Sequence, residues 1–151
     1  MIEIEELRDG MQFKGLILVE QVRDGERIYE YKSNNLMING GIAQVTALMT
    51  GANTVDFAAM VVGTSTPVLG TTDTALAGSV QTVTTTNSQV TTTFSNDTAQ
   101  FVGTFSFSAS YTLYGACVQV AAGGTMLCEA SIGTVTVVSG DSLAITWKVQ
   151  A

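Results

Sequence analysis

The sequence predicts a mainly β protein: an antiparallel β-sandwich or jelly-roll-like domain with one short α-helix and an N-terminal β-hairpin arm. Three patterns carry that prediction. Apolar residues recur with a period of two from Ser79 onward, an Asp-Gly pair separates two strand-like runs near the start, and residues 39–51 place apolar side chains at helical spacing. At 151 residues the chain has the length of one domain and can bury roughly 68–70% of its unfolded surface, so no metal or disulfide is required for a stable core.

The elements follow in order. The first ten residues, MIEIEELRDG, are acidic and lack the basic region and apolar stretch of a secretory signal, so the expected compartment is cytosolic, at least initially. Strands are expected over Gln12–Val22 and Arg27–Ser33. The link between them, Arg23-Asp24-Gly25-Glu26, holds the Asp-Gly pair that tolerates the positive φ of a two-residue hairpin loop. Asn39–Gly51 reads as a helix: Asn39 is placed to cap it, Ile42, Val45, Leu48 and Met49 recur at helical spacing, and Gly51 supplies the stop. Gly40 and Gly41 weaken its first turn. A short strand, Asp56–Val62, leads into connections through Gly63–Pro67 and a capped single turn over Thr71–Leu76.

Further on, Phe101, Phe105, Phe107, Ala109, Tyr111 and Leu113 alternate with Gln100, Val102, Thr104, Ser106, Ser108, Ser110 and Thr112, a half-buried strand pattern. The last segment sets Leu143, Ile145, Trp147 and Val149 against Ala144, Thr146, Lys148 and Gln150. Outward positions in Val83–Thr93 are mostly Thr, Ser and Gln. Such a skin either lets another copy approach without charge repulsion or reflects the fitness of Thr for exposed strands.

Charge divides the chain in two. Residues 1–32 hold eight acids and five bases, whereas the remainder holds five acids and one base. A charged arm, 1–35, is therefore expected ahead of a charge-poor sandwich body, 36–151. Leu16, Ile17, Leu18 and Val19 form an apolar run in the arm that calls for cover on both faces. With Tyr29 and Tyr31 they are the candidate interface, the alternative being a core strand of one protomer.

Composition argues against most chemistry. Charged residues make up 13% of the chain, about half the usual quarter, and there is no histidine, so His-dependent Ser or Cys triads are excluded. Six Lys and Arg against a net charge of −7 leave no basis for nucleic-acid binding. No apolar run approaches the ~20 residues of a membrane helix, Phe57–Val62 being among the longest. Gly123-Gly124 lies between strands, not before a helix, so it is no phosphate loop. The body's acids, Asp56, Asp73, Asp97, Glu129 and Asp141, are isolated in sequence. Asp73 reads as a cap and Asp97 and Asp141 as turn residues, without the acid spacing of a calcium loop. No catalytic, cofactor or metal residues are expected. Trp147, on the apolar face of its strand, reads as core rather than as a sugar platform.

Cys117 and Cys128 flank a glycine-containing loop. A four-residue loop sets them opposite each other; a two-residue Gly-Gly loop sets Cys117 opposite Ala130. Without a secretion signal they are expected to be reduced and to act as small apolar residues.

Two segments resemble a known group. Val62-Gly63-Thr64-Ser65-Thr66-Pro67 followed by Asp73-Thr74-Ala75-Leu76 is similar to a G-T-x-x-P, D-T-A-L segment of tailed-bacteriophage virion structural proteins. Gly123–Leu127, Val135–Val137 and Gly140–Trp147 look like the C-terminal strand pair of the same group. The resemblance spans 36–149 and leaves out the charged hairpin. It implies a non-enzymatic, β-rich virion component assembled in the bacterial cytoplasm. No heptad or collagen-like shaft is present, which argues against a long fibre.

The resulting expectation is a capsid decoration, or cement, protein that stabilises a phage head by lattice contacts. Its partners are copies of itself as a homotrimer or other symmetric oligomer, and the major capsid protein or other virion proteins. The alternative is a tail, baseplate or short fibre component binding a host-surface glycan. A carboxylate-dependent glycan hydrolase would need two paired acids, which the sequence does not display.

Overall fold

The computed structural model describes residues 13–120 and 124–151. Ten strands and one helix form two five-stranded antiparallel sheets packed face to face. The first sheet contains β1 (Lys14–Arg23), β2 (Glu26–Asn34), β6 (Thr86–Val90), β7 (Thr98–Ser106) and β10 (Ser142–Gln150), in the order β2-β1-β10-β7-β6. The second contains β3 (Leu36–Met37), β4 (Ala59–Gly63), β5 (Ser79–Thr84), β8 (Tyr111–Gln119) and β9 (Met126–Val137), in the order β3-β9-β8-β4-β5. The expected β-sandwich is what forms.

The hairpin turns where expected. Asp24 (φ 53°) and Gly25 (φ 79°) both have positive φ, as a turn matching the strand twist requires. The hairpin is continuous with the sheet: β1 pairs along its length with β10, from Lys14 opposite Gln150 to Val22 opposite Ser142. The start of the strand expected at Gln12 lies outside the described residues.

Period-two alternation fills the core. Leu143, Ile145 and Trp147 are fully buried and Val149 nearly so, facing Ile132, Val135 and Val137 of the other sheet in one cluster. Burying side chains of this size contributes roughly 1.5–3 kcal/mol each. The alternation from Gln100 to Leu113 is not one strand. It is β7 and then β8, which belong to different sheets and are joined at residues 107–110; Phe101, Phe105, Phe107 and Leu113 are buried as expected and Tyr111 is half-buried, but Ala109, in the connection, is exposed. Gly103 interrupts the apolar face of β7 because Met60 and Val83 occupy its space; a Cβ there would lie 2.9 Å from the Met60 sulfur.

The helix, α1 (Asn39–Thr50), ends at Gly51 in the left-handed conformation (φ 74°). Its start differs from expectation: Ile38, not Asn39, is the N-cap, and no side chain caps it. Tertiary bonds substitute, because the Asn39 N–H donates to the Thr71 carbonyl at 2.9 Å and the Ile38 N–H to Leu127 at 3.0 Å. The adjacent Gly41 lets the helix lie on β9, since a Cβ would come within 2.4 Å of the Leu127 Cα. The strand expected over Asp56–Val62 is the shorter β4, and Thr71–Leu76 forms turns rather than a helical turn.

Candidate functional site

Two buried acids organise the polar interior. Asp141 follows Gly140 (φ 92°) in the turn before β10 and is buried. The Arg23 guanidinium, at the end of β1, grips it as a fork, Nε to Oδ1 at 2.9 Å and Nη2 to Oδ2 at 2.8 Å. Gln21 donates to Oδ2 at 3.0 Å and to the Thr136 carbonyl at 2.8 Å, and the Val138 N–H donates to Oδ2 at 2.9 Å. The Arg23 hydrogen bonds hold the Asp141 carboxyl well below the usual carboxylate range against the opposing effect of burial. The residue expected to be a plain turn acid ties the hairpin to both sheets.

The second is Glu129, on β9 opposite Leu36 and Cys117. The loop between β4 and β5 crosses above it. The Gly70 N–H reaches both carboxylates, Asp73 Oδ2 at 3.1 Å and Glu129 Oε1 at 3.3 Å. Burial, followed by a hydrogen bond with Asp73, pushes the Glu129 carboxyl up to about 7, while the same bond lowers Asp73. Below about pH 7 a proton on Glu129 lets the two acids share a hydrogen bond, which with the Gly70 N–H holds the loop. Asp73 does not cap a turn over Thr74–Leu76; its carboxylate bonds back to Gly70 instead. These two acids are a pair that sequence spacing does not reveal. Glu129 is nearly inaccessible, and both carboxylates are engaged in holding the loop, so the pair's evident work is structural.

Asp97 is a loop organiser, as its turn composition suggests. Its carboxylate accepts from the backbone N–H groups of Thr92, Thr93 and Phe94 and from Gln150, which hold it below the usual carboxylate range. Cys117 and Cys128 are free and buried. Neither sequence-based register holds: the Val120 N–H bonds to Thr125 as in the longer loop, but an irregularity after Val118 places Cys117 opposite Glu129 and Cys128 opposite Val118. Burial pushes the Cys117 thiol up to about 12 and Cys128 well above its ordinary value, leaving both unreactive.

The candidate interface residues separate by face. Ile17 and Val19 are fully buried in the chain's own core, so the protomer-core alternative describes them. Leu16 is 47% exposed and Leu18 half-buried on the outer face. Tyr29 and Tyr31 stack 6.4 Å apart over Gly133 of β9, and the Tyr29 hydroxyl donates to the Ile132 carbonyl at 3.0 Å. They close the gap between the sheets. Trp147 is buried with its Nε1 donating to Asn35 at 3.2 Å.

Surface contact potential lies elsewhere. Val68, Met49 and Phe94 are the most exposed large apolar side chains, at 90%, 77% and 74%. Strands β5 and β6 are largely exposed and, with the loop after them to Ser95, carry no charge. Among the described residues no three His, Cys, Asp or Glu side chains gather as a metal site, and no helix is long and apolar enough to cross a membrane. No protein-family model, curated protein or solved structure matches the chain.

Proposed function

We propose that this chain is a non-enzymatic virion structural protein that works by surface contact, as a capsid decoration protein that stabilises a phage head by binding its lattice. The observation that carries the reading is the exposed, charge-free stretch 79–95 in a chain of net charge −7. Neutral, β-branched surface can be buried against a neighbour without desolvating ions, which otherwise costs several kcal/mol per ion. Many copies on a lattice multiply a modest contact energy. The polar interior suits the same role, because Asp141, Asp97 and the Asp73–Glu129 pair all direct their bonds into the chain's own framework.

The partners proposed are other copies of the chain and the major capsid protein. Quantitative mass spectrometry of particles purified from the bacterium that makes the chain tests this. Recovery with heads at hundreds of copies, the order expected of a repeated lattice site, fits decoration. Single or low tens of copies would favour a tail or baseplate part instead, and absence from particles sinks the virion reading. Deletion of residues 1–33 is a poor probe of attachment, since it removes β1 and with it Ile17 and Val19 from the core. Leu16→Glu, on the outer face of β1, is the cleaner one: occupancy should fall with the fold intact if the hairpin touches the lattice.

A further inference from the structure

Each sheet of an open sandwich ends in edge strands with unpaired backbone groups, and proteins shield such edges by shortness, charge or cover. The edges here are β2 and β6 on the first sheet, and β3 and β5 on the second. β3 is two residues long. β2 carries Glu26, Arg27, Glu30 and Lys32, laced by Arg27–Glu30 and Lys32–Glu30 ion pairs at 3.1 and 3.9 Å. β5, with sequence SVQTVT, is neither so short nor charged; its pairing is irregular at Val80 but regular from Gln81 to Thr84, and it passes through Thr85 into the equally uncharged β6.

The direction of its free groups can be read from the ladder. The Thr85 N–H donates to the Ala58 carbonyl at 2.9 Å, one step beyond the Ala59–Thr84 pair. Bonded and non-bonded pairs alternate in antiparallel ladders. Val83 and Gln81 therefore exchange bonds with Met60 and Val62, while Thr82 and Thr84 direct their N–H and C=O groups away from the sheet; the register shift between Val62 and Gly63 leaves Val80 as an extra residue with no partner on β4.

We infer that β5 pairs antiparallel with β5 of a second copy of this chain about a two-fold axis at Thr82. That register is self-complementary: Thr82, whose backbone groups point outward, faces Thr82 of the other copy, and Thr84 of each copy lies opposite Val80 at the irregularity of the other. It offers two main-chain hydrogen bonds at the Thr82 pair and about two more from Thr84, with Thr–Thr and Val–Thr contacts alongside. The occupant is a like copy because the register is self-complementary, and because at this charge-free edge two chains of net charge −7 meet without bringing charge together. The pairing deepens the surface-contact reading and rests on it, but it is a contact between protomers rather than with a lattice. An edge this short buries a small area, so the dimer is of micromolar affinity or weaker.

Sedimentation of the full chain from about 1 µM to about 500 µM tests it, a range that brackets such an affinity. The expected result is a rise from 15.8 kDa toward twice that mass. Thr82→Lys, which adds the missing edge charge, should weaken association about tenfold or more while the near-ultraviolet signal of Trp147 is retained. Thr82→Pro, which deletes an outward donor, should do the same. Backbone hydrogen exchange on the unmodified chain provides a readout that needs no variant, with Thr82 and Thr84 slowing as concentration rises. A constant 15.8 kDa, a trimer, or no change in exchange at Thr82 and Thr84 would each overturn the pairing. So would a dimer that persists in folded Thr82→Lys. A chain that stays monomeric in solution yet is recovered with particles removes the pairing and leaves the lattice reading standing.

Discussion

Asp141 and Glu129 are each 2% exposed, one serving each sheet, yet they settle in opposite states. Asp141 meets the fork of Arg23 and stays ionised. Glu129 meets another acid, and burial with that hydrogen bond keeps a proton on it up to about pH 7. Equal burial thus gives unequal charge, because the partner decides which form is stable. The hairpin is held by a charge-assisted bond to an ionised carboxylate. The loop over the second sheet is held by a proton.

The comparison breaks most visibly at Asp141. Asp141→Ala removes the acceptor of Arg23 and of the Val138 N–H and one of the two acceptors of the Gln21 amide, and Tm at neutral pH should fall by several degrees, the largest change of this set. Because its folded pKa lies below the unfolded value of 3.8, the contribution is present above that pH and is lost as pH falls below it. Melting of variant and parent should therefore converge in strong acid. Glu129 has the opposite sign: its pKa rises from 4.5 to about 7 on folding, so its contribution is complete below 4.5 and lost as pH rises through about 7. Differential scanning between pH 5 and 8.5 should show the parent losing Tm and Glu129→Gln losing much less; parallel curves would refute the shared proton.

Asp73→Asn sharpens the point by a smaller amount. It removes the acid whose hydrogen bond raises Glu129, so the loss of stability above pH 4.5 should end at lower pH and be smaller. The smallest effect belongs to the exposed side of the hairpin. Arg27→Ala breaks ion pairs to Glu20 and Glu30 that stand in solvent, and equilibrium unfolding should register less than about 1 kcal/mol.

What could be read in the sequence was what is decided locally. The Asp-Gly turn, the Gly51 stop and the apolar face of β10 depend on neighbours a few residues away, and each appeared near its expected place. The alternation through Phe101–Leu113 gave the buried face except at Ala109, which the connection between strands leaves exposed, but not the sheet, because a period of two records which way side chains point and is blind to the strand alongside. The polar nodes were illegible for a different reason. Arg23 and Asp141 are 118 residues apart, and Gly70 and Glu129 are 59 apart, so each acid looks solitary until the sheets assemble. Leu16 to Val19 looked doubly apolar, yet the requirement for burial is met on the Ile17 and Val19 side, with Leu16 left in solvent.

The placement of β10 between β1 and β7 has a temporal consequence. It is the last strand in the sequence, and it is the central strip of the first sheet. During synthesis β1 and β2 can close as a hairpin early, but their core face has nothing to lie beside until β10 leaves the ribosome. The nascent chain therefore carries Ile17 and Val19 without their β10 neighbour until residues 142–150 have been made, and the first sheet assembles in one step after that. Folding dominated by such distant pairings is slow, so protection from aggregation is needed most while the chain is still being made.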